Sequence, residues 1–518
     1  MPHRRLLAGT ALLILPALFL VSEFVLRDLG VPYWLWWNLD PSYGYLISGV
    51  DLAQGLPPSF SDHPGTPVSC LVALVILLSG GPAAAFAHAE TILGRVSDIM
   101  FALDAAAMLV LGWTVWRRFG SLVPALAAEG APFATMLALR HGIDVKPEPL
   151  LLAAVMLLAA AMVEEAMAPR RASIVALGAA AGFGIACKVT FAPFAMTAII
   201  LPLTWRRRAA FVGLAVVAFF VFFAPALPKL PHMLSLYANV TVGSGAYGSG
   251  PPTVINFARY PIAFEKLFFG RPIFIIVWVL GAAALVLHRR ERRAPSPGER
   301  LLFATLAMQL VQIVFVAKHP DAHYALPAYE MSAPAVAFLW RVASELERLR
   351  PRWPAVARGF AVLLLLVGAA QTVAVVRQGR EFARNSAGAD KIDLARDFPR
   401  CAHIYRDLAS APSLAWYDNH FYSGKRYVPQ LAALSPANDY FSFSWGYGGV
   451  ANWQGPVAPA TLAQHYKCIA LRGTGLEALR AVAATFGDFF RTSEVCAAGE
   501  EYVLVAGASC PAGTRYGE

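Results

Sequence analysis

Charge is what this chain has least of. Of its 518 residues only 15% are Asp, Glu, Lys or Arg, while 57% are hydrophobic. A soluble domain carries about a quarter charged residues, so the shortage excludes an ordinary soluble fold and points to a polytopic membrane protein. Cysteine is scarce as well, with six in all, and their spacing is not that of a zinc site. A nucleotide-type phosphate loop is missing too. The stretch "GSGAYGSG" has neither the strand-to-helix context nor the closing Lys-Ser/Thr. Bases are not lacking, and the formal net charge is +10. They sit in short clusters between apolar runs, as topology signals do, which excludes nucleic acid as a partner.

Those clusters are Arg4–Arg5, Arg117–Arg118, Arg170–Arg171, Arg206 to Arg208, Arg289 to Arg293, and Arg341 to Arg352. Held on the cytoplasmic side, they require an even number of crossings between neighbours. Apolar runs near 121–139 and 149–168, 172–187 and 189–204, 209–227 and 272–288, and 300–317 and 325–340 supply them in pairs. A run near 355–376 carries the chain out. The N-terminal run, to about Val25, reads as an uncleaved signal anchor. The run from Pro67 to Leu78 is too short to span and is expected to lie on the outer leaflet. The sum is a polytopic α-helical membrane protein of about eleven spans, N-terminus inside and C-terminus outside.

Residues 1–380 are expected to form the membrane domain, with external loops near 29–66 and 229–271. Beyond it, 381–518 should be an extracytoplasmic α/β domain, with "YKCIALRG" and "EYVLVAGA" as strands and "GLEALRAVAATFG" as a helix. Cys401, Cys468, Cys496 and Cys510 all fall in this tail. An even set confined to one region fits disulfides in an oxidising compartment and leaves the pairing open. Cys70 and Cys187, in or beside apolar segments, read as inert packing residues.

On this topology the polar groups gather outside. "NLDPSYGYLISGVDLAQGLPPSFSDHPGTP" holds Asp40, Asp51, Asp62 and His63, and "LRHGIDVKPEP" holds Arg140, His141, Asp144, Lys146 and Glu148. Lys188 lies in the turn of "GIACKVTFAPF", Arg259 in the loop 229–271, and Lys318, His319, Asp321, His323 and Tyr324 in "AKHPDAHYALPAYE". An enzyme on that face has no ready ATP or nucleotide sugar, so an activated substrate arrives through the lipid. Bases at the membrane surface suit a lipid phosphate.

The ordered set "DPSYGYLISGVDLAQG", "FSDHPGTP", "RVSDIMFALDAAAML" leading to "WRRFG", "KPEPLLLAAVMLL", "GFGIACKVTFAPF" and "HPDAHYALPAYEMSAPAVA" resembles the GT-C integral-membrane glycosyltransferases. It is most similar to their protein O-mannosyltransferase and lipid A aminoarabinose transferase branch, and covers about residues 1–345. The resemblance implies inverting transfer of a sugar from a polyprenyl-phosphate donor to a glycan, lipid or protein acceptor. The reaction would take place on the outer face of the bacterial cytoplasmic membrane. It makes Asp40 the general base. Asp62 and His63 would position acceptor or lipid phosphate. Lys188, Lys318, His319, His323 and Tyr324 would face the phosphate, and Arg140, His141, Lys146 and Arg259 would add basic edges. Relatives commonly have two adjacent acids where this chain has Asp40 followed by Pro41. A divalent metal is therefore unsupported, and no cofactor is implied.

Each role has a structural alternative. Asp40 suits a helix N-cap with Pro41 at the first helical position, and Lys318 at the end of an apolar run suits snorkelling. Two other functional classes compete: a secondary transporter, which places polar groups at broken helices, and a non-enzymatic envelope assembly protein.

Overall fold

The computed structural model describes residues 8–517 except 31, 63, 244–250, 254–255, 292–293, 348, 350–351 and 443–448; at 39, 40, 361, 364 and 365 it describes the backbone only. It is mostly helical, with one sheet near the C-terminus. Among the described residues six helices are long and apolar enough to cross a membrane: Ala8–Gly30, Ala89–Phe119, Pro147–Met167, Trp205–Val242, Pro272–Glu291 and Pro297–Val316. Three further apolar runs are broken rather than continuous. Residues 121–139 fall into Leu122–Glu129, Ala131–Ala134 and Met136–Gly142. The run near 189–204 holds only short turns of helix, and 325–340 splits at Met331. Pro132, Pro193 and Pro327 lie in these runs, where missing donors and ring clashes interrupt the helical ladder, and Gly130 caps the C-terminal end of Leu122–Glu129. The expected last span lies within the helix Trp353–Ala389.

The chain divides into two compact units, one of Met1–Phe24, Gly55–Leu71 and Arg95–Val376, the other of Val25–Gln54, Val72–Gly94 and Arg377–Glu518. In the first unit Pro147–Met167 is the central helix, buried along most of its length. Arg171–Cys187 packs beside it and against Trp205–Phe223. The latter contact is close because Gly178 and Gly182 leave room for Leu214, Ala215 and Phe219. Small residues four apart are the usual means by which apolar helices approach without a hydrophobic drive between them. At one end of the unit Glu164 takes Arg117 and Arg170, each at 2.5 Å, together with Arg118. Glu165 beside it takes Arg207. Three of the basic clusters thus converge on two acids.

The second unit is built on a seven-stranded mixed sheet: β1 Ala402–Arg406, β2 Asp439–Ser442, β3 Val450–Asn452, β4 Gly455–Val457, β5 Ile469–Thr474, β6 Glu494–Ala498 and β7 Glu501–Ala506. The order is β4-β3-β2-β1-β5-β7-β6, with β1 parallel to both neighbours and the remaining pairs antiparallel. Alternate side chains feed two cores, Ile404, Leu471 and Leu504 on one side and Tyr405, Ala470 and Val503 on the other. A sheet covered on both faces requires this alternation of two apolar sets. The two strands and the helix read from the sequence appear as β5, β7 and Leu476–Ala484. Cys401 pairs with Cys468 and Cys496 with Cys510, which settles the open connectivity. Cys70 and Cys187 are free thiols.

The stretch that opens the expected first loop is helical, as the alternative reading of Asp40 had it. It forms the helix Leu39–Ala53, preceded by Asn38, whose side chain does not cap it but donates to the carbonyls of Gly30 at 2.7 Å and Pro32 at 3.3 Å. Asp40 is therefore the second residue of a helix and not its N-cap. The side chain of Asp40, and His63 altogether, lie outside the described residues, as does most of "GSGAYGSG".

Candidate functional site

The first unit gathers several bases and acids at the N-terminal end of Pro147–Met167. Pro147 opens that helix at its first position and Glu148 lies in its first turn, where an acid complements the helix dipole. Lys146, the residue before it, is extended and 8% exposed. Lys188 ends Arg171–Cys187 and is also extended. Its backbone bridges Pro64, and the Gly65 N–H donates to the Cys187 carbonyl at 3.1 Å, so Pro64 and Gly65 are pinned beside this lysine.

Three base–acid pairs result. Lys188 Nζ donates to Glu148 Oε1 at 2.5 Å, both side chains being 4% exposed, and sits 4.6 Å from the centre of the Tyr324 ring. Lys146 pairs with Asp144 and donates to His141 Nδ1 at 2.6 Å. His323 Nδ1 meets Asp321 Oδ1 at 2.7 Å. The rings of His141 and His323 lie 5.8 Å apart, and those of His323 and Tyr324 4.0 Å. Glu148 interacts electrostatically with Lys188, Lys146, His141 and His323 together. Its second oxygen, Oε2, is buried and has no hydrogen-bond partner. A buried carboxylate oxygen left unpaired costs of order 1–3 kcal/mol, and such an atom in a native site calls for an explanation.

The titrations outside the spans follow from these contacts. Burial pushes the His141 imidazole below its usual value, and the neighbouring Lys146 adds to the effect. The hydrogen bond from His323 holds the Asp321 carboxyl down at about 2. Asp62 stands in the same unit, its carbonyl accepting from Tyr237 at 2.9 Å and its carboxylate 3.5 Å from His232 Nε2. Burial raises its carboxyl in spite of that histidine.

Thus His141, Lys146, Lys188, His323 and Tyr324 come together as one cluster. Lys318 and His319 do something else. Lys318 Nζ donates to the carbonyls of Val240, at 2.9 Å, and Thr241, and His319 Nε2 approaches Val240 O at 3.1 Å. They close the C-terminal end of the helix Leu230–Val242, a common task for cations beside the last carbonyls. Arg140 and Arg259 are exposed; the Arg259 N–H donates to Asn256 Oδ1 at the start of Tyr260–Phe269. The sequence reading gave Asp144 and Asp321 no role, and it set Glu148 beside its near neighbours rather than Lys188, forty residues on. Within the cluster, His141 and Lys146 are matched with Asp144, Lys188 with Glu148 and His323 with Asp321. Among the described residues no group of His, Cys, Asp and Glu is arranged to hold a metal ion.

No family model matches the chain, and no curated protein matches it. Among solved structures it is similar to the crystal structure of ArnT from Cupriavidus metallidurans bound to undecaprenyl phosphate. The identity is 16% over 96% of this chain and 98% of that one, with a TM-score of 0.48.

Proposed function

We propose that the protein is an inverting, polyprenyl-phosphate-sugar-dependent glycosyltransferase of the GT-C kind. The observation that carries this reading is the buried Lys188–Glu148 pair with its unpartnered Glu148 oxygen and the Tyr324 ring against the lysine. A sugar phosphate needs both halves of such a site. Its hydroxyls donate to carboxylates, its phosphate accepts from lysine and imidazole, and an aromatic ring packs on the sugar's apolar face. A set of matched bases and acids binds that headgroup better than free cations alone, which would favour any anion.

Asp40 is the proposed base. The acceptor oxygen attacks the anomeric carbon while a carboxylate takes its proton, and the bond from that carbon to the phosphate oxygen breaks. Polyprenyl phosphate leaves with the bonding electron pair, so it needs no strong general acid. Anionic groups also stabilise the oxocarbenium character of the transition state. The sugar is passed to a glycan, lipid or protein acceptor outside the cytoplasmic membrane, with the N-terminus inside and residues 381–518 outside. Reporter fusions within 235–265 and beyond 385 should report the outside, and a fusion near Arg207 the inside.

The enzymatic test uses the full chain in membranes supplying lipid-linked sugars and acceptor, with released polyprenyl phosphate measured by mass spectrometry. Asp40→Asn keeps size and helix preference but removes basicity, and release should fall by about two orders of magnitude. Unchanged release would remove Asp40 from the mechanism and make Asp62 the next acid to test.

A further inference from the structure

The helix that carries Asp40 is held from the far end of the sequence. Within the second unit, Asp51 is fully buried, and its Oδ1 accepts from Tyr427 Oη at 2.6 Å and Arg426 Nη1 at 2.7 Å. Asp51 lies eleven residues after Asp40, about three turns at 3.6 residues per turn, so the two positions share a helical face. Higher on the same helix Tyr43 donates to Glu90 Oε1 at 2.7 Å and stacks edge-on against Trp416, with ring centres 5.0 Å apart. Glu90 accepts the Tyr33 N–H at 2.6 Å with its other oxygen. Phe86 packs on both Trp416 and Tyr427.

The loop that delivers Arg426 and Tyr427 is itself unusual. Gly424 and Lys425 both take positive φ, +61° and +64°, and Lys425 is one of two non-glycine residues that do so among the described residues. A lysine in the left-handed region is disfavoured and persists only where its surroundings impose it. Here the conformation turns the chain so that consecutive side chains, Arg426 and Tyr427, converge on one carboxylate. A buried acid fixed by a charged and a neutral donor is among the stronger polar contacts a protein makes.

We propose that the C-terminal α/β domain is a positioning element for glycosyl transfer: Arg426 and Tyr427 hold Asp51, and through it set the helix Leu39–Ala53 on which Asp40 acts. The proposal rests on the reading of Asp40 as base. Tyr427, Arg426 and Asp51 are positioning residues, since they act through the helix rather than on substrate. A base displaced by about 1 Å loses rate steeply while donor binding elsewhere is untouched.

The test compares Tyr427→Phe and Arg426→Gln with the wild type, each alone and in the Asp40→Asn background. Turnover is followed by polyprenyl phosphate release, and binding with undecaprenyl phosphate in phosphatidylcholine vesicles. Tyr427→Phe keeps the ring against Phe86 and removes only the hydroxyl. Turnover should fall at least ten-fold in each single variant with vesicle binding unchanged, and fall no further in the Asp40→Asn background. A structural role alone would lower turnover and binding together and add to the Asp40→Asn loss. If Asp40→Asn is inactive while both single variants turn over normally, the positioning role is overturned and the base stands. If Asp40→Asn is fully active, the base reading fails first and this proposal with it.

Discussion

Both units bury ions, but they complete them differently. In the second unit Arg472 and Glu501 are almost wholly enclosed, 4% and 1% exposed. Arg472 donates to the Ile392 carbonyl at 2.5 Å, to Ala389 O at 3.0 Å and to Glu501 Oε2 at 2.7 Å, which leaves only its Nε unbonded. The other oxygen of Glu501 accepts the Ser410 N–H at 2.7 Å. His403 likewise spans Asp439 and the Phe398 carbonyl, both at 2.9 Å, while Ser413 donates to the second Asp439 oxygen at 2.6 Å. These groups are tied to backbone and hold chain segments in place. The cluster around Lys188 bonds side chain to side chain and leaves a buried carboxylate oxygen unused. A buried charge tied into the backbone is a staple, whereas one matched only by a movable partner is ready to exchange it for a ligand.

The largest effect that would test this contrast is on folding. Lys188→Met alone removes the partner that Glu148 bonds to in a buried setting and should cost about 3–5 kcal/mol; Arg472→Met should cost a similar amount by stranding Glu501. Chemical denaturation of the purified protein measures both. Where the two should part is binding: Arg472→Met, at a temperature where it is folded, should take up undecaprenyl phosphate as the wild type does. A binding defect equal to that of Lys188→Met would erase the distinction.

The disulfides come next. Cys401 and Cys468 close a 67-residue separation, and replacing both by Ser should destabilise the second unit by about 2–4 kcal/mol. Thiol labelling of the denatured wild type without reductant should reach Cys70 and Cys187 only. Labelling at all four tail cysteines would contradict the pairing.

How much of this could be read beforehand depended on the distance over which each feature is fixed. Composition alone gave the apolar class, and β5, β7 and the helix Leu476–Ala484 were legible because local alternation and helical period specify them. His141, Lys146, Lys188, His323 and Tyr324 were legible as residue types out of place at the ends of apolar runs. Their partners were not. Glu148 finds Lys188 through the packing of two helices, and Lys318 finds Val240 and Thr241 across three intervening helices, neither of which periodicity encodes. The breaks at Gly130, Pro132 and Pro327 had a visible signal in glycine and proline, but apolar length outweighed it in the reading. The helix Leu39–Ala53 was legible as the alternative to a loop, with Asp40 as its cap, but its earlier start and the partners Arg426 and Glu90 of Asp51 and Tyr43, remote in sequence, were not.

The smallest effect expected is a pH dependence. Asp321 is held at about 2 by His323, below an ordinary aspartate near 3.9. Its folded value is depressed, so its contribution is present above the unfolded value and lost as pH falls from about 4 through about 2. The difference in thermal midpoint between wild type and Asp321→Asn should close over that acidic window. A difference that closes near pH 6 instead would assign it to histidine titration.

The account stands on the claim that the Lys188–Glu148 pair exists for a ligand and not for the fold. The double variant Lys188→Met with Glu148→Gln separates the two, because it removes both charges at once and leaves none stranded. Replacing a whole buried pair by uncharged residues of similar size is close to neutral for stability, so the thermal midpoint should stay within a few degrees of the wild type. Affinity for undecaprenyl phosphate in phosphatidylcholine vesicles should nevertheless fall at least about ten-fold, the loss of one charge-assisted hydrogen bond. A double variant that binds the lipid as tightly as the wild type would contradict the central claim.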